Sequence, residues 1–227
     1  MARKPGKRAS RQIESGGVRE TIVAAFMALL AEKPFEDIGL AEIAARADIS
    51  LAQLRDEFDS KIAILAAHIK EIDRAVLAGG DADMAEEPAR ERLFDVLMRR
   101  IEAMADDKAA VRSLLRSACR DPGLALALNR LAVNSQQWML TAAGVAASGP
   151  KGMIRAQGLA LMFAQVLRVW ADDDDPGLSR TMAALDRELA RGQQWAGLLD
   201  GLFRLAACPG RRRARRRGDR GEETAAA

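Results

Sequence analysis

The sequence contains no tyrosine, and aromatic residues make up only 4% of its 227 positions. Strands are enriched in aromatic and β-branched residues, whereas this chain is rich in alanine and leucine, which favour helices. The 49% of apolar residues is enough to bury one good core or two small ones. We therefore expect a folded, all-α protein with almost no sheet.

Residues that commonly bind metals or perform catalysis are also scarce. Cys119 and Cys208 lie far apart and His68 is the only histidine, so neither a metal-ligand spacing nor a disulfide framework emerges. No nucleophile elbow, phosphate loop or dinucleotide fingerprint occurs. The aspartates 172–175 are better explained by a solvated turn with a helix cap than by a metal site. We expect no enzyme, metal or cofactor, and interpret His68 as structural or as the edge of a pocket.

Long apolar runs are missing too. No stretch reaches the length of a membrane span, and the basic N-terminus lacks the apolar region of a signal peptide. We therefore expect a cytoplasmic protein without stable membrane insertion.

The net charge of +3 hides an uneven distribution. Basic residues crowd both ends, and we expect a disordered arm over 1–15 and a disordered Arg-rich tail over 208–227. The basic residues of the arm are Arg3, Lys4, Lys7, Arg8 and Arg11. Such segments suit contact with a polyanion, because Lys and Arg release counterions from phosphates. Purely solubilising segments are the alternative, above all for the tail.

The first part of the chain has the pattern of a helix-turn-helix. Apolar spacing predicts a helix over 16–32, then two short helices at about 39–47 and 51–57. The segment between the short helices allows only a tight turn. Asp48 tolerates the left-handed backbone that such a turn requires, and Ser50 is well placed to cap the next helix.

A fourth helix follows from Ser60 and ends near residue 78, which closes a predicted domain over 16–78. The Gly-rich and acidic segment 79–88 has the composition of a linker. Beyond it we predict a helical domain over 89–207, with helices at about 89–105, 107–119, 122–147, 151–171 and 177–206. The helix at 151–171 is apolar around most of its circumference, so we expect it to be buried on several sides, within its domain or against a second subunit.

A set of residues between Arg19 and Leu65 follows a fixed spacing. Its members are Arg19, Ile22, Ala24, Ala25, Phe35, Ile43, Ala44, Ala47, Ile49, Ser50, Leu54, Phe58, Ser60 and Lys61. At these positions the chain resembles the TetR family of bacterial transcriptional regulators. The rest of the chain resembles that family only in its overall organisation, as an all-helical ligand-binding and dimerisation domain.

The resemblance implies that the third helix enters the major groove of DNA, with Ser50, Ala52, Gln53 and Arg55 facing it. Gln53 would be the best base reader, because its amide can pair with adenine N6 and N7. Arg55 would reach guanine or phosphate, and Lys61 would hold phosphate at the start of the fourth helix. The arm residues Arg3, Lys4, Lys7 and Arg8 would add further contacts.

Several positions depart from the family pattern. Arg55 stands where the family usually has a tyrosine, Gly39 where a capping Thr or Ser is usual, and Ala41 where a basic residue is common. Asp56 and Glu57 follow Arg55 directly, and each acid near phosphate weakens DNA binding. The recognition helix is therefore poor in positive charge, and the basic arm would have to supply the missing attraction to phosphate.

For the C-terminal domain, the resemblance implies a homodimer on a palindromic operator that is released when a small apolar ligand binds. Such release is typical of a repressor, and an activator is the alternative that the sequence leaves open. The candidate pocket residues are adaptable apolar side chains, each of which is equally compatible with ordinary core. They are Met98, Met104, Trp138, Met139, Met162 and Phe163.

A second family leaves an alternative open. Residues 169–189 are similar in layout to the lipid-binding protein of ubiquinone biosynthesis, which has the TetR fold but serves as an accessory protein that binds isoprenoid lipids. That alternative implies no specific DNA binding and a last helix, 193–210, whose apolar stripe docks on a lipid surface. A core or dimer-interface role explains the same stripe.

Overall fold

The computed structural model describes residues 6–80, 84 and 86–206, and the side chains of these residues from 17 to 192. This part of the chain contains helices and no strand, so the all-α prediction is confirmed. The α-helices are α1 Gly6–Glu32, α2 Leu40–Arg46, α3 Leu51–Glu57, α4 Lys61–Ala78, α5 Ala89–Ala103, α6 Lys108–Arg120, α7 Pro122–Ala142, α8 Gly149–Ala171 and α9 Ser179–Ala206. Two 3₁₀ turns, Phe35–Asp37 and Ala105–Asp107, precede α2 and α6. None of the described helices has both the length and the apolar character needed to cross a membrane.

The main difference from prediction is the start of α1. The helix begins at Gly6 rather than at residue 16, so residues 6–15, expected to be part of a disordered arm, are helical. The prediction of a disordered arm rested on the basic residues crowded before position 16. Glycines 16 and 17 lie within α1, since glycine inside a helix costs only about 1 kcal/mol. The residues before them are mostly good helix formers. The arm residues Arg3 and Lys4 lie outside the described residues, as does the tail 208–227.

A smaller difference is the end of α7, predicted near residue 147 and observed at Ala142. Gly144 adopts a φ of 68°. The amide of Val145 then donates to the carbonyl of Leu140 at 2.8 Å and that of Gly144 to Thr141 at 3.0 Å. This pattern is a Schellman motif, which ends a helix by satisfying its last carbonyls.

Two hydrophobic cores meet within α4. The head, which we define as residues 17–65, has its own core around the fully buried Ile22, Phe26, Leu30, Ile43 and Ile64. The body, which we define as residues 72–192, has a second core that includes Ile72, Val76, Leu97, Met139 and Trp170. The first half of α4 therefore belongs to the head and the second half to the body, so the cores divide inside α4 and not at the predicted linker 79–88.

Helix α6 joins the head to the body. Ala110 of α6 is buried in the head core. The Ser113 hydroxyl donates to the carbonyl of Lys33 at 3.0 Å, and the amide of Phe35 donates to the Ser117 hydroxyl at 3.1 Å. Partly buried leucines of α6 and α7 pack against the same core: Leu114, Leu128 and Leu131.

The body also contains a buried ionic group. Arg100 of α5 forms an ion pair with Asp73 of α4, and both side chains are almost fully buried. Ser135 of α7 donates to the same Asp73 oxygen at 2.7 Å. Because a lone buried charge is costly, these partners fix the three helices in one arrangement.

Candidate nucleic-acid interface

A tight turn places α3 against α2. Asp48 has a φ of 53°, the left-handed conformation that its sequence position predicts. The amide of Ile49 donates back to the carbonyl of Ala44 at 3.0 Å, which closes the C-terminus of α2. Leu54 and Phe58 of the following segment are buried in the head core and hold α3 in place.

The N-terminus of α3 has a capping box. The amide of Gln53 donates to the Ser50 hydroxyl at 3.2 Å, and the amide of Ser50 donates to Oε1 of Gln53 at 2.9 Å. Bidentate pairing of Gln53 with adenine needs both Oε1 and Nε2. The predicted base contact by Gln53 therefore requires the capping box to open.

One surface of α3 faces solvent, and we call it the α3 face. It consists of Ser50, Leu51, Ala52, Gln53, Arg55 and Asp56. The four residues of α3 and its cap that were predicted to face DNA therefore lie together on an exposed surface. Apolar spacing predicts that Leu51 faces the core together with Leu54 and Phe58, but Leu51 is 54% exposed, so that prediction is wrong.

The charge of Arg55 is partly offset within the helix. Its guanidinium lies 2.7 Å from the carboxylate of Asp59, four residues further on. Both side chains are well exposed, at 69% and 86%. A DNA phosphate would compete with Asp59 for this cation.

The two acids that follow Arg55 have different environments. Glu57 pairs with Arg19 of α1 at 3.0 Å, and its backbone carbonyl accepts from the same guanidinium at 2.8 Å. That guanidinium also lies 4.3 Å from the centre of the Phe58 ring. Glu57 therefore fastens α3 to α1, whereas Asp56 is exposed and has no ion-pair partner among the described residues.

Lys61 is directed at the protein backbone. Its ammonium donates to the carbonyls of Phe35 and Ile38 at 2.7 and 2.8 Å and lies 4.1 Å from the centre of the Phe35 ring. Burial lowers the pKa of Lys61 below its ordinary value, although the carboxylates of Glu36 and Asp37 act in the opposite direction. Two of the three ammonium N–H groups are therefore engaged by the backbone, which leaves one donor for a phosphate at the predicted Lys61 site.

The remaining cations of the head are paired as well. Lys33 forms an ion pair with Glu42, and Arg46 pairs with Glu32 at 2.7 Å. All five Lys and Arg residues between positions 17 and 61 thus have partners, and nine Asp and Glu residues share the same segment. The backbones of Lys7 and Arg8 lie in the first turns of α1, but their side chains are outside the described set.

The six residues of the predicted ligand pocket differ in their burial. Met104, Met139 and Phe163 are buried in the body core, and two further methionines, Met98 and Met162, pack against it. Trp138 is 58% exposed on the outer side of α7. The sequence could not place Trp138, because a single large apolar residue fits either side of an amphipathic helix.

A cleft of about 440 Å³ lies between α1, α4 and the turn Ala105–Asp107. His68 is part of its wall, in keeping with the interpretation of His68 as a pocket edge, and its Nε2 lies 3.1 Å from the Asp107 carboxylate. The other lining residues are Glu20, Val23, Ala24, Met27, Ala28, Ala31, Glu71, Asp106 and Ala110. None of the six predicted pocket residues is among them.

The aspartates 172–175 form a turn before α9. Asp173 accepts hydrogen bonds from the Thr181 hydroxyl at 2.6 Å and from its amide at 2.9 Å. These bonds, that of the hydroxyl first, hold the pKa of Asp173 below its usual range. Asp175 accepts from the amide of Gly177 and from Ser179. The turn-and-cap interpretation of this run is therefore what the structure shows.

Comparison with known proteins identifies the fold. No protein-family model and no curated protein matches the sequence. Among solved structures, a TetR transcriptional regulator from Nitrosomonas europaea is 22% identical, with a TM-score of 0.60 over 78% of this chain and 98% of its own. Another from Rhodococcus sp. RHA1 is 18% identical, with a TM-score of 0.54 over 78% of this chain and 96% of its own. The chain therefore has the fold of TetR transcriptional regulators.

Proposed function

We propose that this protein is a TetR-type transcriptional regulator that binds double-stranded DNA and acts by binding rather than by catalysis. The observation that carries the proposal is the α2–turn–α3 unit, in which a capped and anchored helix presents the exposed α3 face. In a helix-turn-helix, the N-terminal residues of the second helix contact base edges in the major groove. A cytoplasmic location follows from this role.

The charge pattern assigns different tasks to the head and the arm. Because the cations at positions 17–61 are engaged within the protein, the head offers little free positive charge to phosphate. The arm at 1–15 has five Lys and Arg residues and one acid. We assign the electrostatic share of DNA binding to the arm and the sequence-dependent share to the α3 face.

An apolar stripe on α8 supports a homodimer. Ile154 and Leu161 are 43% and 57% exposed, and the exposed Gly158 lies between them at helical spacing. On α9, Met182 is 38% exposed. A small residue between large apolar ones allows close approach of a second helix, and a two-fold pair of heads fits a palindromic operator.

The regulatory part of the proposal concerns the body. A small apolar ligand would enter among the methionines of the body core, since flexible thioether side chains adapt to a guest. Met98 and Met162 are only partly buried and so are the side chains that move first. Ligand binding would change the separation of the two heads and release the operator, as expected of a repressor.

The test is binding of the full-length protein to its own upstream DNA and to random duplex, by fluorescence anisotropy across a salt series. We expect a preference for one upstream site on the order of a thousandfold. Replacing the five basic arm residues by glutamine should flatten the salt dependence, because fewer counterions are released. The matched control replaces Arg211, Arg212, Arg213, Arg215 and Arg216 by glutamine and should leave the salt dependence largely unchanged.

Binding without sequence preference would contradict the regulator proposal. The accessory lipid-binding function would then become the leading explanation, although the side chains of its candidate docking helix at 193–206 lie outside the described set. An equal change of salt dependence in the arm and tail variants would contradict the assignment of phosphate contacts to the arm.

A further inference from the structure

We propose that Leu51 and Ala52 contribute to operator preference by contacting thymine methyl groups, and that Gln53 serves mainly to cap α3. This inference rests on the proposed function and specifies how its DNA contact works. It starts from the groups of the α3 face that are not already engaged within the protein.

The polar members of the α3 face are largely occupied. Gln53 uses Oε1 in the capping box, and its acceptance of the Ser50 amide satisfies a donor at the helix start. Arg55 is paired with Asp59. Opening the capping box costs on the order of 1 kcal/mol before any base is contacted. Hydrogen-bond readout by these two side chains is therefore penalised.

The apolar members have no competing partner of this kind. Leu51 is 54% exposed at the first position of α3, and Ala52 beside it is exposed as well. Both lie in the turn that approaches base edges in a helix-turn-helix. An exposed leucine alone is unremarkable on a protein surface, but here it occupies the part of the helix that meets the groove.

The major groove offers one apolar group to such residues. Thymine carries a C5 methyl group there, and the other bases present hydrogen-bond donors and acceptors. Removing one methyl group from water against Leu51 gives about a fourfold gain in affinity per thymine. Asp56, which belongs to the same α3 face, repels phosphate, so sequence readout by this face depends on shape and apolar contact.

The experiment first enriches preferred sequences from a random duplex pool with the full-length protein. Each thymine of the enriched site is then replaced singly by uracil, which removes the methyl group and keeps the base pair. We expect about fourfold weaker binding at one or two positions of each half-site and no change elsewhere. Leu51→Ala should bind thymine and uracil sites equally well at a position that it contacts.

Control variants separate readout from folding and from capping. Leu77→Ala removes a less exposed leucine, 38% against 54% for Leu51, at the far end of α4 and should retain the full uracil penalty. Gln53→Ala should also retain it, while lowering the stability of the head. Circular dichroism spectra and melting curves check that the Leu51→Ala variant is folded, as expected for a change at an exposed site.

The outcomes distinguish this inference from the proposed function. An enriched sequence whose uracil forms bind equally well would overturn methyl readout and leave the regulator function intact. A uracil penalty that survives in both Leu51→Ala and Ala52→Gly would also overturn it. Failure to enrich any sequence would overturn the proposed function and the readout together.

Discussion

The head and the body both have ion pairs at the surface, but among the described residues only the body buries one. In the head, most ion pairs are at the surface, such as Arg55 with Asp59 and Arg46 with Glu32. In the body, Asp73 and Arg100 are paired in the interior. Surface pairs contribute about 0–1 kcal/mol each, whereas removal of one partner from a buried pair costs several times more. Surface pairing in the head therefore mainly lowers its attraction for phosphate, and buried pairing in the body fixes its helices.

We expect the largest difference in the free energy of unfolding between a variant of Asp73 in the body and a variant of Asp59 in the head. Asp73→Ala leaves the Arg100 guanidinium and the Ser135 hydroxyl without their shared acceptor and should lower the free energy of unfolding by about 3–5 kcal/mol. Asp59→Ala, the matched surface change, should cost no more than about 1 kcal/mol. Urea unfolding followed by circular dichroism measures both. Equal losses would show that the buried pair has no special role.

Lys61 differs from the other cations of the head, because its ammonium donates to backbone carbonyls and not to a surface carboxylate. We expect its replacement to have an intermediate effect on the free energy of unfolding. Lys61→Met keeps the aliphatic chain but leaves the carbonyls of Phe35 and Ile38 without their donor. We expect a loss of about 1–3 kcal/mol in the free energy of unfolding. A variant of unchanged stability but weaker binding to all DNA sequences would instead support the phosphate contact suggested by the sequence.

For Asp173 we expect a smaller contribution to the free energy of unfolding, and one that depends on pH. Its pKa is lower in the folded state, mainly because the Thr181 hydroxyl donates to it, so the folded state favours the carboxylate. Its contribution is present above the unfolded pKa of about 3.9 and is lost as the pH falls through the folded value. Chemical unfolding between neutral pH and pH 2 should show the stability gap between the protein and Asp173→Asn closing with acid.

The control for this titration lies in the head. The pKa of Glu32 is also lowered, chiefly by its hydrogen bond to Arg46, but that pair is exposed to solvent. Glu32→Gln should therefore change the acid sensitivity much less than Asp173→Asn. A larger effect of Glu32→Gln would contradict the view that the body holds the acid-sensitive group.

The helices and turns could be predicted because their signals are local. The short helices of the head and the turn at Asp48 follow from apolar spacing and from residues that tolerate the left-handed backbone. The capping box was also within reach, since Ser50 followed three residues later by a glutamine is its signature. The start of α1 was missed because residues 6–15 are mostly polar and basic, a composition typical of disorder, although most of them are good helix formers.

Features that depend on tertiary contacts could not be predicted. The orientation of Lys61 is set by the carbonyls of the turn Phe35–Asp37 and of Ile38, more than twenty residues earlier in the chain. The pairing of Glu57 with Arg19 likewise joins distant segments, so the sequence shows an acid but not its partner. The division of the two cores inside α4 has no composition signal, because both halves of that helix have the same apolar spacing.

Helix α6 contributes to the cores of both the head and the body, which limits how the head can be joined to the body of another regulator. Ala110 is buried in the head core, and the hydroxyls of Ser113 and Ser117 satisfy backbone groups of the head. A fragment cut after residue 78 would expose that apolar surface and leave those groups without partners. A chimera that transplants the head onto another regulator must therefore carry the matching face of α6 with it.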